Sequence, residues 1–345
     1  MTLIYFILIL GITIMIHELG HFIFAKRAGA HVYEFSLGMG PRLFKFNRKN
    51  DETDYSIRLF PIGGYVSIAG EDMEENNIPK EKQLVNKTWK ERFLTLAAGV
   101  TFNFLLAIIL LFIIGLVNGN NIHEATIDTI TKGYALETTN IVSGDVVTKI
   151  NNKKISNQDD LLLMLTVYQG EEISLEVRHQ NGELESYKVA PTKVEENGKT
   201  SYIYGFTLMN KTEKGFLEAI KYTFLKTASL VKQIGNTILF LATGKLSLNN
   251  LSGPIGIYNV VGEVSKTGLL NVLYLIAYLC INVGFLNFLP LPAFDGGRIL
   301  FLIIEKIKGS RVKPEIENMI HTIGFLFLMI LMIIVSYNDI IRLFH

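Results

Sequence analysis

The chain has 345 residues, of which 49% are hydrophobic, and a formal net charge of +1. That length allows several units, the apolar content points to a membrane protein, and the near-neutral charge argues against nucleic acid as a partner. One cysteine, Cys280, excludes a disulfide framework within the chain; inside an apolar run it reads as a plain buried side chain.

Four stretches are long and apolar enough to cross a bilayer, which takes about 20 residues. They are residues 3–25, 93–117, 269–289 and 320–338, the last being shortest in its apolar part, 320–335. The first is not a signal peptide by its pattern. No basic residue precedes it, no small-residue cleavage site follows, and Lys26-Arg27 lies after it.

That first stretch contains ITIMIHELGHFIF, residues 12–24. Ionisable groups inside a membrane helix are costly and mark functional sites. His17 and His21 are four residues apart, so a helix presents both on one face, where each can offer a ring nitrogen to one metal ion. Glu18 is adjacent and can serve as the base toward a metal-held water, the zinc hydrolase arrangement H-E-x-x-H. A His–Glu–His hydrogen-bond cluster without metal is the bland alternative.

Residues 31–70 carry β-rich runs punctuated by Gly38, Gly40, Pro41, Gly63 and Gly64. So many Phe, Tyr and Ile beside a site helix predict a re-entrant β loop rather than an ordinary connector, with Gly38 and Gly40 permitting close backbone approach. Residues 71–90 are polar and read as a solvated loop.

Residues 123–210 have the grain of a small α+β domain. ATIDTI, DVVTKINN, EISLEVR and ESYKVAP read as strands, and Asn157–Tyr168 as a helix capped by Ser156 or Asn157. The SGD turn at Ser143–Asp145, the strand after it and that helix resemble a PDZ domain, with GYAL at Gly133–Leu136 at the peptide-carboxylate loop. Such a domain either binds a peptide by strand addition or only guards the site. Within the linker 214–267, residues 216–242 predict an amphipathic helix with an apolar stripe of Leu217, Ile220, Phe224, Ala228, Val231 and Ile238. Lys221, Lys226 and Lys232 lie off the stripe, which favours an interfacial helix over a fifth span. SGPIG at Ser252–Gly256 follows as a Gly-rich turn.

A hydrolytic zinc site needs three protein ligands and one open position. The other histidines, at 31, 123, 179, 321 and 345, share no ligand spacing with the pair. Asp295, in NFLPLPAFDGGR at Asn287–Arg298, is the best third ligand; its alternative is a helix N-cap. Pro290 and Pro292 prevent a regular helix just before it and leave backbone groups free near the metal. Asn287 offers an amide for a peptide backbone.

HELGH, FNFLLAI, GPIG and NFLPLPAFDGG together resemble the site-2 protease family of intramembrane zinc metalloproteases, over nearly the whole chain. The single PDZ-like domain and four spans resemble its bacterial regulator branch. Phe294 stands where the family usually has Leu, and Val100 where AAG is usually followed by Pro; both are apolar and neither touches ligand chemistry. The resemblance implies one Zn²⁺ on His17, His21 and Asp295, Glu18 as acid/base, Asn287 as a substrate contact, and a β-like loop, here Val32–Ala69, that receives an unwound substrate. It also implies a bacterial inner-membrane enzyme acting on single-span proteins, such as pre-cleaved anti-sigma factors, or on signal-peptide remnants. A zinc-containing scaffold with a peptide-binding domain is the non-enzymatic alternative.

Lys and Arg placement sets the expected orientation. The segment after the first span and that before the last are basic and belong in the cytoplasm; both termini and residues 118–268 then lie outside. The fold class expected is a polytopic α-helical membrane protein of four spans, divided as membrane core 1–117, domain 123–210, linker 214–267 and membrane core 268–345.

Overall fold

The structure is a computed structural model. It describes residues 1–49, 51–71, 73, 75–196, 199–248 and 251–344. In chain order the elements are α1 (Thr2–Arg27), β1 (Val32–Asn47), β2 (Asp54–Ile68), α2 (Trp89–Asn118), β3 (Ile127–Ile130), β4 (Val146–Ile150), β5 (Lys153–Lys154), α3 (Gln158–Val167), β6 (Ile173–Arg178), β7 (Leu184–Val189), β8 (Thr192–Glu196), β9 (Lys199–Ile203), β10 (Phe206–Leu208), α4 (Phe216–Ala242), α5 (Pro254–Val264), α6 (Leu269–Phe288), α7 (Asp295–Lys308) and α8 (Pro314–Phe344). They fall into two compact units, Met1–Leu111 with Leu248–His345, and Phe112–Ser247.

Among the described residues four helices are long and apolar enough to cross a membrane: α1, α2, α6, and α8 over Pro314–Arg342. These are the four predicted stretches, with α8 begun earlier, at Pro314. Proline suits that first turn because its missing N–H would lack a partner there anyway.

In the first unit α1 packs between α2 and α6. A Cβ on Gly20 would fall 2.4 Å from the Ala98 carbonyl oxygen, so α1 and α2 touch through backbone. On the other side Cys280 Sγ lies 3.9 Å from Thr13 Oγ1, and Cys280 is fully buried. The SGPIG stretch is not only a turn, because Pro254 starts α5. Asp339 of α8 accepts the Gly256 N–H at 2.8 Å, satisfying one of the free donors of that helix start.

β1 and β2 are bent, and their register resolves into four runs. Residues 34–37 pair with 64–67 in opposed order on one side and with 54–57 in the same order on the other, and 42–47 pairs with 54–58 in opposed order. The loop predicted for 31–70 is therefore a small sheet with residues 64–68 at one edge. Its interior holds Glu34, 8% exposed, which accepts from Arg58 (2.8 Å), Tyr65 (2.6 Å) and Ser56. Burial alone would raise this carboxyl; the hydrogen bonds from Arg58, Ser56 and Tyr65 outweigh it and hold the group down at about 2.

The second unit carries the four-stranded sheet β5-β4-β6-β7 and the pairs β10-β3 and β8-β9. Alternation gives the inward row of β6, Ile173, Leu175 and Val177, all fully buried in a core shared with Leu161 and Met164 of α3. The N-cap of α3 is Asn157, whose side chain accepts from Asp160 N. Leu136, in the GYAL stretch, lies fully buried in this core. α4 has its predicted bounds, but its buried face is Ala219, Tyr222, Thr223, Ser229, Leu230 and Ile234. The predicted stripe points outward, with Leu217 77% and Phe224 65% exposed. Lys226 and Lys232 face α3, pairing with Asp159 at 2.6 Å and Asp160 at 2.5 Å.

Candidate metal centre

His17 and His21 lie one turn apart on α1, as four-residue spacing requires, and both are buried. Asp295 comes from the far end of the sequence, at the first position of α7. The N-cap there is Phe294, which removes the helix-cap reading of Asp295. A Cβ on Gly296 would fall 2.1 Å from the Leu289 carbonyl oxygen, and one on Gly297 2.4 Å from that of Leu291. Two glycines after Asp295 thus let α7 start pressed against the turn after α6, where Leu289 leaves helical geometry before Pro290.

The three ligating atoms form a nearly equilateral triangle. His17 Nε2 is 3.2 Å from His21 Nε2, and Asp295 Oδ2 lies 3.1 Å and 3.3 Å from these two nitrogens. This is the one such donor group among the described residues. Four-coordinate zinc with N and O ligands at about 2.0–2.1 Å sets donor–donor edges of about 3.3–3.4 Å, which the triangle matches.

Proton placement makes the same point. His21 Nδ1 lies 2.8 Å from the Thr95 carbonyl, which can only accept, so Nδ1 carries the proton and the neutral ring turns an Nε2 lone pair into the triangle. Asn103 on α2 lies 3.5 Å from His17 Nδ1, and its own Oδ1 is buried without a partner. In its other orientation the amide accepts from His17 Nδ1–H and fixes the same tautomer. Asp295 Oδ2 is likewise buried with no hydrogen-bond donor. Two ring nitrogens and a carboxylate oxygen, buried and facing one another, can all bind one cation at once, so these residues fit a metal ion.

Gly99 completes the floor of the site. A Cβ there would sit 2.3 Å from His21 Nε2 and 2.7 Å from His17 Cε1. Glu18, half-buried, accepts the backbone N–H of Val66 at 3.1 Å, which ties the edge run 64–68 to the acidic side chain next to His17.

The other predicted site residues divide. Asn287, one residue before the end of α6, reaches His17 Nε2 with its amide nitrogen at 3.3 Å. Pro290 is exposed, whereas Pro292 packs against Gly324 of α8. Gly38 and Gly40 have φ of +89° and +84°, as glycine allows, but the approach they permit is to Phe60 of β2, at 2.6 Å for a Cβ on either. Their carbonyls are already engaged, by Ser36 at 3.0 Å and Arg58 at 2.7 Å. These glycines serve the bend of the sheet itself. Of the remaining histidines, His31 pairs with Glu52 at 2.8 Å and His179 with Asp145 at 2.8 Å, while His345 lies outside the described residues. Thr95, Gly99, Asn103 and Val66 are the site residues that spacing missed. AAG before Val100 and the apolar-flanked Asn103 were the only signals, and neither says what it faces.

The model of peptidase family M50 matches residues 5–331. The zinc metalloprotease RasP of Oceanobacillus iheyensis is 32% identical, with 99% of each chain covered. The regulator of sigma-W protease RasP of Bacillus subtilis is also 32% identical at the same coverage. The putative zinc metalloprotease FN1322 of Fusobacterium nucleatum is 36% identical over the whole of both chains. With its family model matched over most of its length, this chain belongs to peptidase family M50, the site-2 protease family of metalloproteases.

Proposed function

We propose that the chain hydrolyses a peptide bond within or next to the membrane span of single-span proteins, with zinc held by His17, His21 and Asp295. The observation that carries this reading is the triangle of two Nε2 atoms and one carboxylate oxygen, 3.1–3.3 Å on its edges, in apolar helices and beside Glu18. Bound there, zinc supplies a Lewis acid that lowers the pKa of its water to about 7. Glu18 takes the proton from the attacking water and hands it to the leaving amine. The Thr95 carbonyl and Asn103 hold the two imidazoles in the tautomer that turns Nε2 inward, and the Asn287 amide donates to the substrate backbone.

A helical substrate hides its carbonyls in its own hydrogen bonds and must unwind first. An added strand along residues 64–68 replaces those bonds, and the Val66–Glu18 contact supports this edge as the receiving one. The sheet bend that Gly38 and Gly40 allow shapes the same receiving surface. Residues 123–210 act as a PDZ-like domain that, with α4, filters substrates by size. By likeness to the Bacillus subtilis regulator of sigma-W protease, substrates are membrane-anchored regulators already trimmed outside, or signal-peptide remnants. We place the site near the cytoplasmic face of a bacterial inner membrane, with both termini outside.

The test is cleavage of a reconstituted single-span substrate by wild type and Glu18→Gln, with zinc measured in both. The variant retains zinc and loses at least about 100-fold in rate, the lower range for a positioned acid/base. Equal cleavage removes Glu18 from the chemistry; loss of zinc moves it into the ligand set.

A further inference from the structure

We propose that His321, on the last membrane helix, is a positioning residue for Asp295; this rests on Asp295 being a metal ligand. Asp295 follows the turn of residues 289–294, and Ala293 in that turn has φ +71°, in the left-handed region that L-residues rarely adopt. Such a conformation persists only where its surroundings hold it. Here the hold comes from α8. His321 Nδ1 accepts the Ala293 N–H at 2.9 Å. Three residues on, along the same face of α8, Gly324 takes the body of Pro292, where a Cβ would fall 2.3 Å from the proline Cβ. The imidazole also closes on the other side of Asp295, with its Cε1 3.2 Å from where a Cβ on Gly297 would stand.

One ring thus braces the chain two residues before and two residues after the carboxylate. α8 carries several strongly exposed apolar side chains, among them Ile323 (60%) and Phe327 (64%), so a polar ring in this span calls for a reason. Partners that orient a metal ligand typically matter 10–100-fold in metal affinity. The hydrogen bond needs an acceptor at the Nδ1 position and nothing else of the imidazole. Asparagine, whose Oδ1 occupies nearly that position, can supply it; alanine cannot.

The experiment is competition for zinc between a chromophoric chelator and the full chain in detergent, for wild type, His321→Ala, His321→Asn, Ile323→Ala and Asp295→Ala. We expect His321→Ala to bind zinc at least tenfold more weakly, His321→Asn to return within about threefold of wild type, and Ile323→Ala to leave affinity unchanged. Wild-type affinity in His321→Ala alongside weak binding by Asp295→Ala overturns the positioning role alone. A His321→Asn variant as weak as alanine reduces the residue to packing and also overturns it. Wild-type affinity in Asp295→Ala removes the ligand assignment itself, and this inference with it.

Discussion

At Gly99 the site has no room for a single carbon. The position is helical and carries no backbone strain, so its glycine is required by space alone: a Cβ would sit 2.3 Å from His21 Nε2 and 2.7 Å from His17 Cε1. Gly99→Ala is expected to push both rings off the triangle and lower bound zinc at least tenfold while α2 keeps its helicity, since alanine is the better helix former. Zinc content beside circular dichroism checks this; full zinc occupancy would show that the rings can move aside. At this scale the sequence was readable wherever the chemistry repeats at short range. His17, Glu18 and His21 announce themselves by spacing, and Asp295 by its flanking prolines and glycines. Thr95, Gly99 and Asn103 act across 74 to 86 residues of chain, and His321 reaches Ala293 across 28. A backbone carbonyl or an absent methyl leaves no pattern in composition.

Among the elements, the small sheet after α1 makes the sharpest energetic claim, because it keeps Glu34 charged in its interior. The folded carboxyl lies at about 2, below its ordinary value of 4.5. A depressed carboxyl contributes stability that is complete above about pH 5 and is lost as pH falls toward 2. The difference in thermal midpoint between wild type and Glu34→Gln should therefore be largest at neutral pH, worth about 2 kcal/mol, and should shrink below pH 4. A difference that stays constant from about pH 5 down to pH 3 would mean that Arg58 and Tyr65 do not depend on the charge. This cluster could not be read beforehand, since Glu34 and Arg58 are 24 residues apart and meet only once the loop folds into four runs. The same limit explains α4. Its bounds were legible from periodicity, but the stripe of Leu217 and Phe224 could not be assigned to core or lipid without knowing that Asp159 draws Lys226 to the opposite face. α7 was hidden for another reason: its fourteen residues follow two prolines and carry five charges, the pattern of a connector.

For the whole molecule, the decisive question is on which side of the bilayer each connection lies, and α4 controls the answer. At 27 residues it is long enough to span, yet it is not among the four helices apolar enough to do so. Its exposed Leu217 and Phe224 sit opposite Lys226, which is paired with Asp159 of α3, and that is how a helix lies at an interface rather than across it. Between Asn181, in the β6–β7 turn, and Lys313, before α8, an interfacial α4 leaves one crossing, α6; a spanning α4 makes two. The two residues then lie on opposite sides in the first case and on one side in the second. The chain suits a direct measurement, because its single cysteine, Cys280, is fully buried and contributes little background. Asn181→Cys and Lys313→Cys, both at exposed positions, can be treated with a membrane-impermeant maleimide in spheroplasts before and after permeabilisation. Labelling of position 181 in intact spheroplasts and of 313 only afterwards is the expected outcome, since the basic residues around 298–313 hold that connection inside. Labelling of both before permeabilisation would make α4 a fifth span. A filter built from residues 123–242 on the side where substrates are first trimmed would then have to be abandoned.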